Sequence, residues 1–340
     1  MTRKRVTVGA YYFDGWAGCN RHSGDPAEPW AADAPIQLTR RLAEEFADRE
    51  PLWGWRDDSM SVMKRQIDTA ADGGIDFFAF CWYWHEDSGP IDVDAIRGDP
   101  KHTGIDLFME APNNGRMRFC LMLANHQGFE IKGAEAWRQG TEFWVPYFRH
   151  PRYMTVGGRP LLIVFNAPGG DAEGFACIQE AARRAGLQGV AIAGCYSAPP
   201  EMGYTLRTHY NVIPGYTAGS KPHPYSELVA RQESEWAGTP GQPYMPCTIV
   251  GWDKRPWERA GSTEGGAWYF PDATPEAFGA HVRRAVAWID RHPESTPAER
   301  IIMVYAWNEY GEGGYLAPTR GDPEARSLKA LEKAVESSRP

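Results

Sequence analysis

The sequence has no cysteine pairs of the metal-binding kind. Its six cysteines, Cys19, Cys81, Cys120, Cys177, Cys195 and Cys247, contain no C-x-x-C, so zinc-ligand spacing is missing. Cys81, Cys120, Cys195 and Cys247 lie in or beside apolar runs, where a free thiol behaves as a small buried hydrophobe. A reduced, intracellular protein is the simpler expectation. No stretch approaches the roughly 18 apolar residues of a membrane-spanning helix. The opening Met1-Thr2-Arg3-Lys4-Arg5 runs straight into Val6-Thr7-Val8-Gly9-Ala10-Tyr11, without the apolar core or cleavage site of a secretory signal. The chain as given therefore reads as cytoplasmic, or as secreted if a leader has been removed. The net charge is −8 and the basic residues are scattered, so neither nucleic acid nor an anionic membrane is an expected partner. No G-x-G-x-x-G, P-loop or G-x-S-x-G stands in a suitable context, and H-E-x-x-H is missing, so no cofactor and no metal are expected. Internal repeats, low-complexity tracts and dividing linkers are also lacking.

What the chain does have is length and aromatic rings. Its 340 residues fit one α/β barrel with loop insertions, a single domain over 1–340 that buries a large core unaided, although length alone also allows two domains. Aromatics make up 13% of residues, with 14 Trp, more than core packing usually needs. Many fall in short runs such as Tyr11-Tyr12-Phe13, Trp82-Tyr83-Trp84 and the stretch from Trp252 to Trp257. An indole offers a flat apolar face with a polar edge, which suits the C–H face of a sugar or a protein interface as well as a core.

Short apolar runs alternate with segments of helical period, the rhythm of repeated βα units around a parallel sheet. Strands are expected at 6–11, 75–82, 118–124, 161–166, 190–193, 212–216, 245–250 and 301–307, and helices at 59–72, 105–111, 141–149, 171–185, 274–292 and 326–336. Asp171 and Gly186 bracket one helix with a cap and a stop, and Thr274-Pro275 and His292-Pro293 bound another. Pro199, Pro200 and Gly203 remove the helix between strands five and six. The fold class is α/β, a (β/α)8 TIM barrel with long βα loops after strand one (14–58) and strand six (217–244), both on the face where such barrels build their sites.

Residues just past each strand are therefore the candidates. In order they are Tyr11, Tyr12 and Asp14; Trp82, Trp84, His85 and Glu86; Asn125 and His126; Asn166; Tyr196; Tyr216; Trp252 and Asp253; Trp307, Asn308, Glu309, Tyr310 and Glu312. Flat faces with convergent polar groups are what a neutral polyhydroxylated ligand needs. The sharpest signal is Ala306-Trp307-Asn308-Glu309-Tyr310-Gly311-Glu312-Gly313-Gly314-Tyr315. Two carboxylates follow an apolar strand, among glycines that let the backbone turn so that both face one pocket. Hydrolysis of an acetal requires one group to protonate the leaving oxygen and another acting opposite it. Glu309 and Glu312 are the catalytic candidates; the bland alternative is two solvated loop acids. Asp253 either grips sugar hydroxyls or pairs with Lys254 or Arg255. Asn125, His126 and His85 either hydrogen-bond a ligand or are structural.

The chain resembles the WbsX-type, glycoside hydrolase family 99-like domains. The matching pieces are Gly9-Ala10-Tyr11-Tyr12-Phe13; Gly74-Ile75-Asp76-Phe77-Phe78-Ala79-Phe80 with Tyr83-Trp84; Tyr153-Met154-Thr155-Val156-Gly157-Gly158-Arg159-Pro160; Gly251-Trp252-Asp253; and Ala306-Trp307-Asn308-Glu309-Tyr310-Gly311-Glu312. The resemblance implies a (β/α)8 barrel and a retaining glycoside hydrolase acting on an oligo- or polysaccharide. In the endo-α-mannosidases of that family a similar Asn-Glu-x-x-Glu carries the catalytic pair. Carried over, the resemblance implies Glu309 as the base or nucleophile, there assisting the substrate 2-hydroxyl, and Glu312 as the acid/base. This chain has Gly311 where those mannosidases have histidine. Two other classes stay open: a sugar-transferring protein of polysaccharide biosynthesis, for which no Asp-x-Asp motif or basic cradle is found, and a non-catalytic glycan-binding barrel. Carbohydrate is the expected partner in each; the oligomeric state is not legible.

Overall fold

The computed structural model describes residues 5–84, 92–237, 241–258 and 266–336. Eight parallel strands form the barrel: β1 (Thr7–Tyr12), β2 (Phe77–Trp82), β3 (Arg118–Leu123), β4 (Arg159–Val164), β5 (Ala191–Cys195), β6 (Leu206–Thr208), β7 (Cys247–Ile249) and β8 (Ile301–Tyr305). Their hydrogen-bonded order is β6-β5-β4-β3-β2-β1-β8-β7. The gap between β6 and β7 is closed by the parallel bridge of Arg207 with Tyr244, where Arg207 N donates to Pro243 O and Met245 N to Arg207 O, each at 2.9 Å. Strands covered on both faces read as unbroken apolar runs, as Phe77–Trp82 does with all six residues buried. Gly9 lies in register with Phe77, and a Cβ there would fall 2.2 Å from the Phe77 ring. The barrel interior takes that ring only because position 9 has no side chain.

Helices fill the outer ring where their caps foretell them. Ser59 Oγ accepts from Val62 N at 3.3 Å to open Met60–Asp72, and Asp171 Oδ1 accepts from Gly174 N at 2.7 Å to open Ala172–Arg184. Arg183 and Arg184 stand in that helix's last turn, where cations favour the negative end of the helix dipole. Thr274 Oγ1 caps Pro275–Arg291 by accepting from Ala277 N at 3.2 Å. The helix expected from 141 starts earlier, at Gly133, and runs to Phe148; its first two turns carry Gly133, Gly140 and polar residues that mask the period.

The sixth strand departs from expectation. It lies at Leu206–Thr208, and no strand covers 212–216. Pro214 has no N–H for a ladder and Gly215 has φ +65°, while Val212 N donates to the Gln232 side chain at 3.0 Å. Leu206 and Thr208 are buried with Arg207 between them half-buried, a two-residue alternation hidden by its polar members. Only a 3₁₀ turn, Pro200–Met202, fills the space between β5 and β6, in line with the expected missing helix. Inside the long segment after β6 lies an unexpected helix, Tyr225–Ser234, which occupies the sixth helical place. Among the described residues no helix is long and apolar enough to cross a membrane.

Candidate active site

At the C-terminal end of β8 the chain makes a small hairpin in which Asn308–Glu309 pairs antiparallel with Gly314–Tyr315. The Asn308 amide fixes its base. Oδ1 accepts from Phe13 N at 2.7 Å and Nδ2 donates to Phe13 O at 2.9 Å, while Trp16 Nε1 donates to Asn308 O at 2.9 Å. The turn is tied to the segment after β7, because Asp253 N donates to Glu312 O at 2.6 Å. Arg49, from the insert after β1, braces both: Nη1 donates to Tyr310 O at 3.1 Å and to Asp253 O at 2.9 Å. Its Nη2 meets Asp253 Oδ2 at 2.5 Å.

So held, Glu309 and Glu312 line one cavity of about 190 Å³, the space of about six waters. Its walls include Phe13, Tyr83, Phe165, Tyr210, Trp252 and Trp257, with His126 and Asn211 as further polar members and Tyr216 at 48% exposure. Glu309 is 3% exposed. Its Oε1 accepts from the Tyr210 hydroxyl, and its Oε2 is buried with no hydrogen-bond partner. Burial pushes its carboxyl well above the usual range, the Glu312 charge adds to that, and the Tyr210 hydroxyl opposes it. Glu312 Oε2 accepts from the Tyr305 hydroxyl. Burial raises this group to about 7, against the Tyr305 bond and the Lys254 charge, which favour its anion. Lys254 Nζ stands 4.5 Å from the centre of the Tyr216 ring and donates to its hydroxyl at 2.9 Å.

Of the residues marked from sequence, the structure gathers Glu309, Glu312, His126, Tyr216 and Trp252 on this cavity. The others lie elsewhere. Tyr11 is wholly buried and donates to His209 O at 2.8 Å. Tyr12 donates to Asp57 Oδ2 at 2.9 Å. Trp82 stacks on His102 with centroids 4.8 Å apart, and Trp84 packs beside it. Asn125 and Asn166 bind each other across the ends of β3 and β4, with Asn166 N donating to Asn125 Oδ1 at 2.8 Å. Trp307 donates to Gln66 Oε1 at 2.7 Å in the core, and Tyr310 packs against Trp16, centroids 5.2 Å apart. Asp253 takes the ion-paired option: Arg255 Nε meets its Oδ1 at 2.8 Å in addition to Arg49. Burial works to raise its carboxyl, but Arg255 and Arg49 outweigh that and hold it below the ordinary carboxylate value. His85 and Glu86 lie outside the described residues. Among the described residues no cluster of three His, Cys, Asp or Glu is placed to hold a metal.

Sequence reading passed over Tyr210 and Tyr305, and marked Trp257 only as the end of an aromatic run. Tyr210 was hidden by the misplaced sixth strand, since with β6 at Leu206–Thr208 it is a strand-end residue like the others. Tyr305 sits inside the expected eighth strand, where nothing but the pleat marks it as inward-facing.

The model of the family described as Glycosyltransferase WbsX matches residues 204–325, a span holding Tyr210, both glutamates and the loop after β7. No curated protein matches the sequence. Among solved structures, the chain is similar to the GH99 endo-alpha-mannosidase from Bacteroides thetaiotaomicron at 14% identity and TM-score 0.64, over 97% of this chain and 96% of that one. It is also similar to a glycoside hydrolase-like protein at 12% identity and TM-score 0.63, over 98% of this chain and 95% of the other. A family model thus matches one part of the chain, and over nearly all of its length the chain shares the (β/α)8-barrel fold of these solved structures.

Proposed function

We propose that this protein is a retaining glycoside hydrolase that cleaves an oligo- or polysaccharide with Glu309 and Glu312. One observation carries the reading: two carboxylates with raised proton affinity line the same aromatic cavity, and one oxygen of the deeper acid has no protein partner. Acid–base work on an acetal needs a proton on one member of such a pair and a lone pair on the other. Burial raises the proton affinity of both members of this pair. A sugar hydroxyl donating to the Glu309 carboxylate stabilises the anion there and drives the proton to Glu312. Substrate binding thus sets the roles that the family resemblance implies, with Glu309 as base toward the 2-hydroxyl and Glu312 as acid and then base.

The test is a panel of α- and β-linked nitrophenyl glycosides and oligosaccharides, run on the unaltered protein and on Glu309→Gln and Glu312→Gln. Turnover of one glycoside class is expected, falling by about 10³-fold or more in Glu309→Gln on every substrate and in Glu312→Gln on oligosaccharides, while ligand binding persists. Full activity in both variants sinks the reading. The description of the matching family supports a second one, sugar transfer from a nucleotide donor. Micromolar binding of a nucleotide sugar in calorimetry, with no hydrolysis of any glycoside, would put transfer first.

A further inference from the structure

The insert after β1 builds a second hollow beside the acid pair. Asn20 Nδ2 donates to Pro35 O at 3.2 Å and Leu38 O at 2.8 Å, which folds the insert back on itself. Thr39 Oγ1 then donates to Pro256 O at 2.8 Å and Arg41 Nη1 to Arg255 O at 2.7 Å. These bonds tie the short helix Arg40–Glu45 to the segment after β7 that carries Trp257. Between the two walls is an open space of about 680 Å³, reached by Arg21, His22, Trp30, Gln37 and Trp257. Trp257 also lines the 190 Å³ acid-pair cavity, so one indole is the partition between the two spaces. It stands directly on Gly311: a Cβ there would fall 2.1 Å from the indole. The glycine between the two glutamates is what lets the partition sit where it does.

The charges on the walls of the larger hollow are of both signs, Arg21, Arg40 and Arg41 with Glu28 and Glu258, so neither an anion nor a cation is favoured there. Arg40 pairs with Glu44 at 3.2 Å and Arg41 with Glu45 at 2.9 Å, so these cations already have their counter-ions. Beside these charged groups the hollow offers the faces of Trp30 and Trp257 and the exposed Gln37 amide, a set suited to a neutral sugar with an apolar C–H face and hydroxyl edges.

We propose that this hollow is a second binding site for the same neutral glycan, so that the ligand is a chain of several sugars lying across Trp257. One unit occupies the acid-pair cavity and the following units stack along the insert toward Trp30. The inference rests on the glycan-cleaving reading above. Its test is calorimetry on full-length Glu309→Gln protein with cello-, xylo- and α-manno-oligosaccharides from disaccharide to hexasaccharide, repeated with Trp30→Ala or Gln37→Ala added. In the series that binds, affinity should climb with length. Trp30→Ala should cut the long-to-short affinity ratio by about tenfold and Gln37→Ala by less. Affinity flat with length, or a climb that neither change touches, overturns the second site and leaves the glycan reading intact. No binding at any length in any series takes both down.

Discussion

The barrel holds two sets of buried carboxylates, and they differ in what they face. Asp14 and Asp57 lie at the start of the long insert and at its end. Both Asp14 oxygens accept from Gly104 N, at 2.9 and 3.1 Å, and Asp57 Oδ2 accepts from the Tyr12 hydroxyl. That hydroxyl receives Gln66 Nε2 at 3.1 Å, and Gln66 receives the Trp307 indole N–H, so Asp57 ends a chain of protein-to-protein bonds. Burial raises Asp14 well above the ordinary range, reinforced by Asp57, and burial raises Asp57 to about 7. On proton affinity alone the aspartates would pass for a catalytic pair as well as Glu309 and Glu312 do. The difference is that Glu309 and Glu312 share a cavity, whose wall also carries the Tyr210 that donates to Glu309, whereas neither Asp14 nor Asp57 lines it. Raised proton affinity marks burial; only the cavity marks a place where a substrate can use it.

The largest expected break between the two sets is chemical. If Glu312 supplies the proton to the leaving oxygen, Glu312→Gln should lose about 10³-fold in kcat/KM on an oligosaccharide but about tenfold or less on an aryl glycoside whose nitrophenolate departs unprotonated. Glu309→Gln should lose about equally on both. The opposite pattern would exchange the roles of the two glutamates. A smaller effect sharpens the electrostatics. The Tyr210 hydroxyl favours the Glu309 anion, so Tyr210→Phe should raise the Glu309 proton affinity further. The pH profile of kcat/KM should be bell-shaped, its acid limb near pH 7 from the first ionisation of the pair. Tyr210→Phe should displace the limb governed by Glu309 to higher pH and lower the maximum by about tenfold. An undisplaced profile would mean that this bond does not set the proton affinity of Glu309.

Much of this arrangement was legible beforehand, for identifiable reasons. Seven of the eight strands announce themselves because a strand buried on both faces must be an apolar run, and the caps at Ser59, Asp171 and Thr274 mark helix starts by chemistry that needs no tertiary context. The acid pair was legible because Glu309 and Glu312 are bound into one short turn by local sequence. β6 was not, because Leu206-Arg207-Thr208 owes its place to closing the barrel through Arg207 and Tyr244 rather than to its own hydrophobicity. Tyr210 was lost with it. Strand-end position also promised too much: Tyr11, Tyr12, Trp82 and Trp307 turn into the packed core, and Asn308 is spent holding Phe13. Sequence places a residue at the barrel mouth, but whether its side chain points inward or back depends on the pleat and on neighbours far along the chain.

The smallest expected effect concerns the aspartates and tests stability rather than turnover. Asp57 carries a folded-state pKa of about 7 against an ordinary 3.8. A group raised in this way binds its proton more tightly in the native state, so its contribution to stability is full below about pH 4. It is lost as the pH climbs through about 7, where the unpaired Oδ1 must hold charge away from water beside Asp14. Asp57→Asn keeps an acceptor for the Tyr12 hydroxyl and puts a neutral amide in place of the like charge. The variant should lose part of the fall in Tm between pH 4 and pH 8, Asp14, Glu309 and Glu312 keeping the rest, and at pH 8 it should melt about 2–4 °C higher than the unaltered protein. Its turnover at a fixed moderate temperature should change less than twofold, because Asp57 touches no wall of the acid-pair cavity. A Tm slope equal to that of the unaltered protein would show that the aspartates are not strained by burial. A large loss of turnover with Tm intact would instead show that the chain Asp57–Tyr12–Gln66–Trp307 transmits to the turn bearing Glu309, and the separation between the two sets would fail.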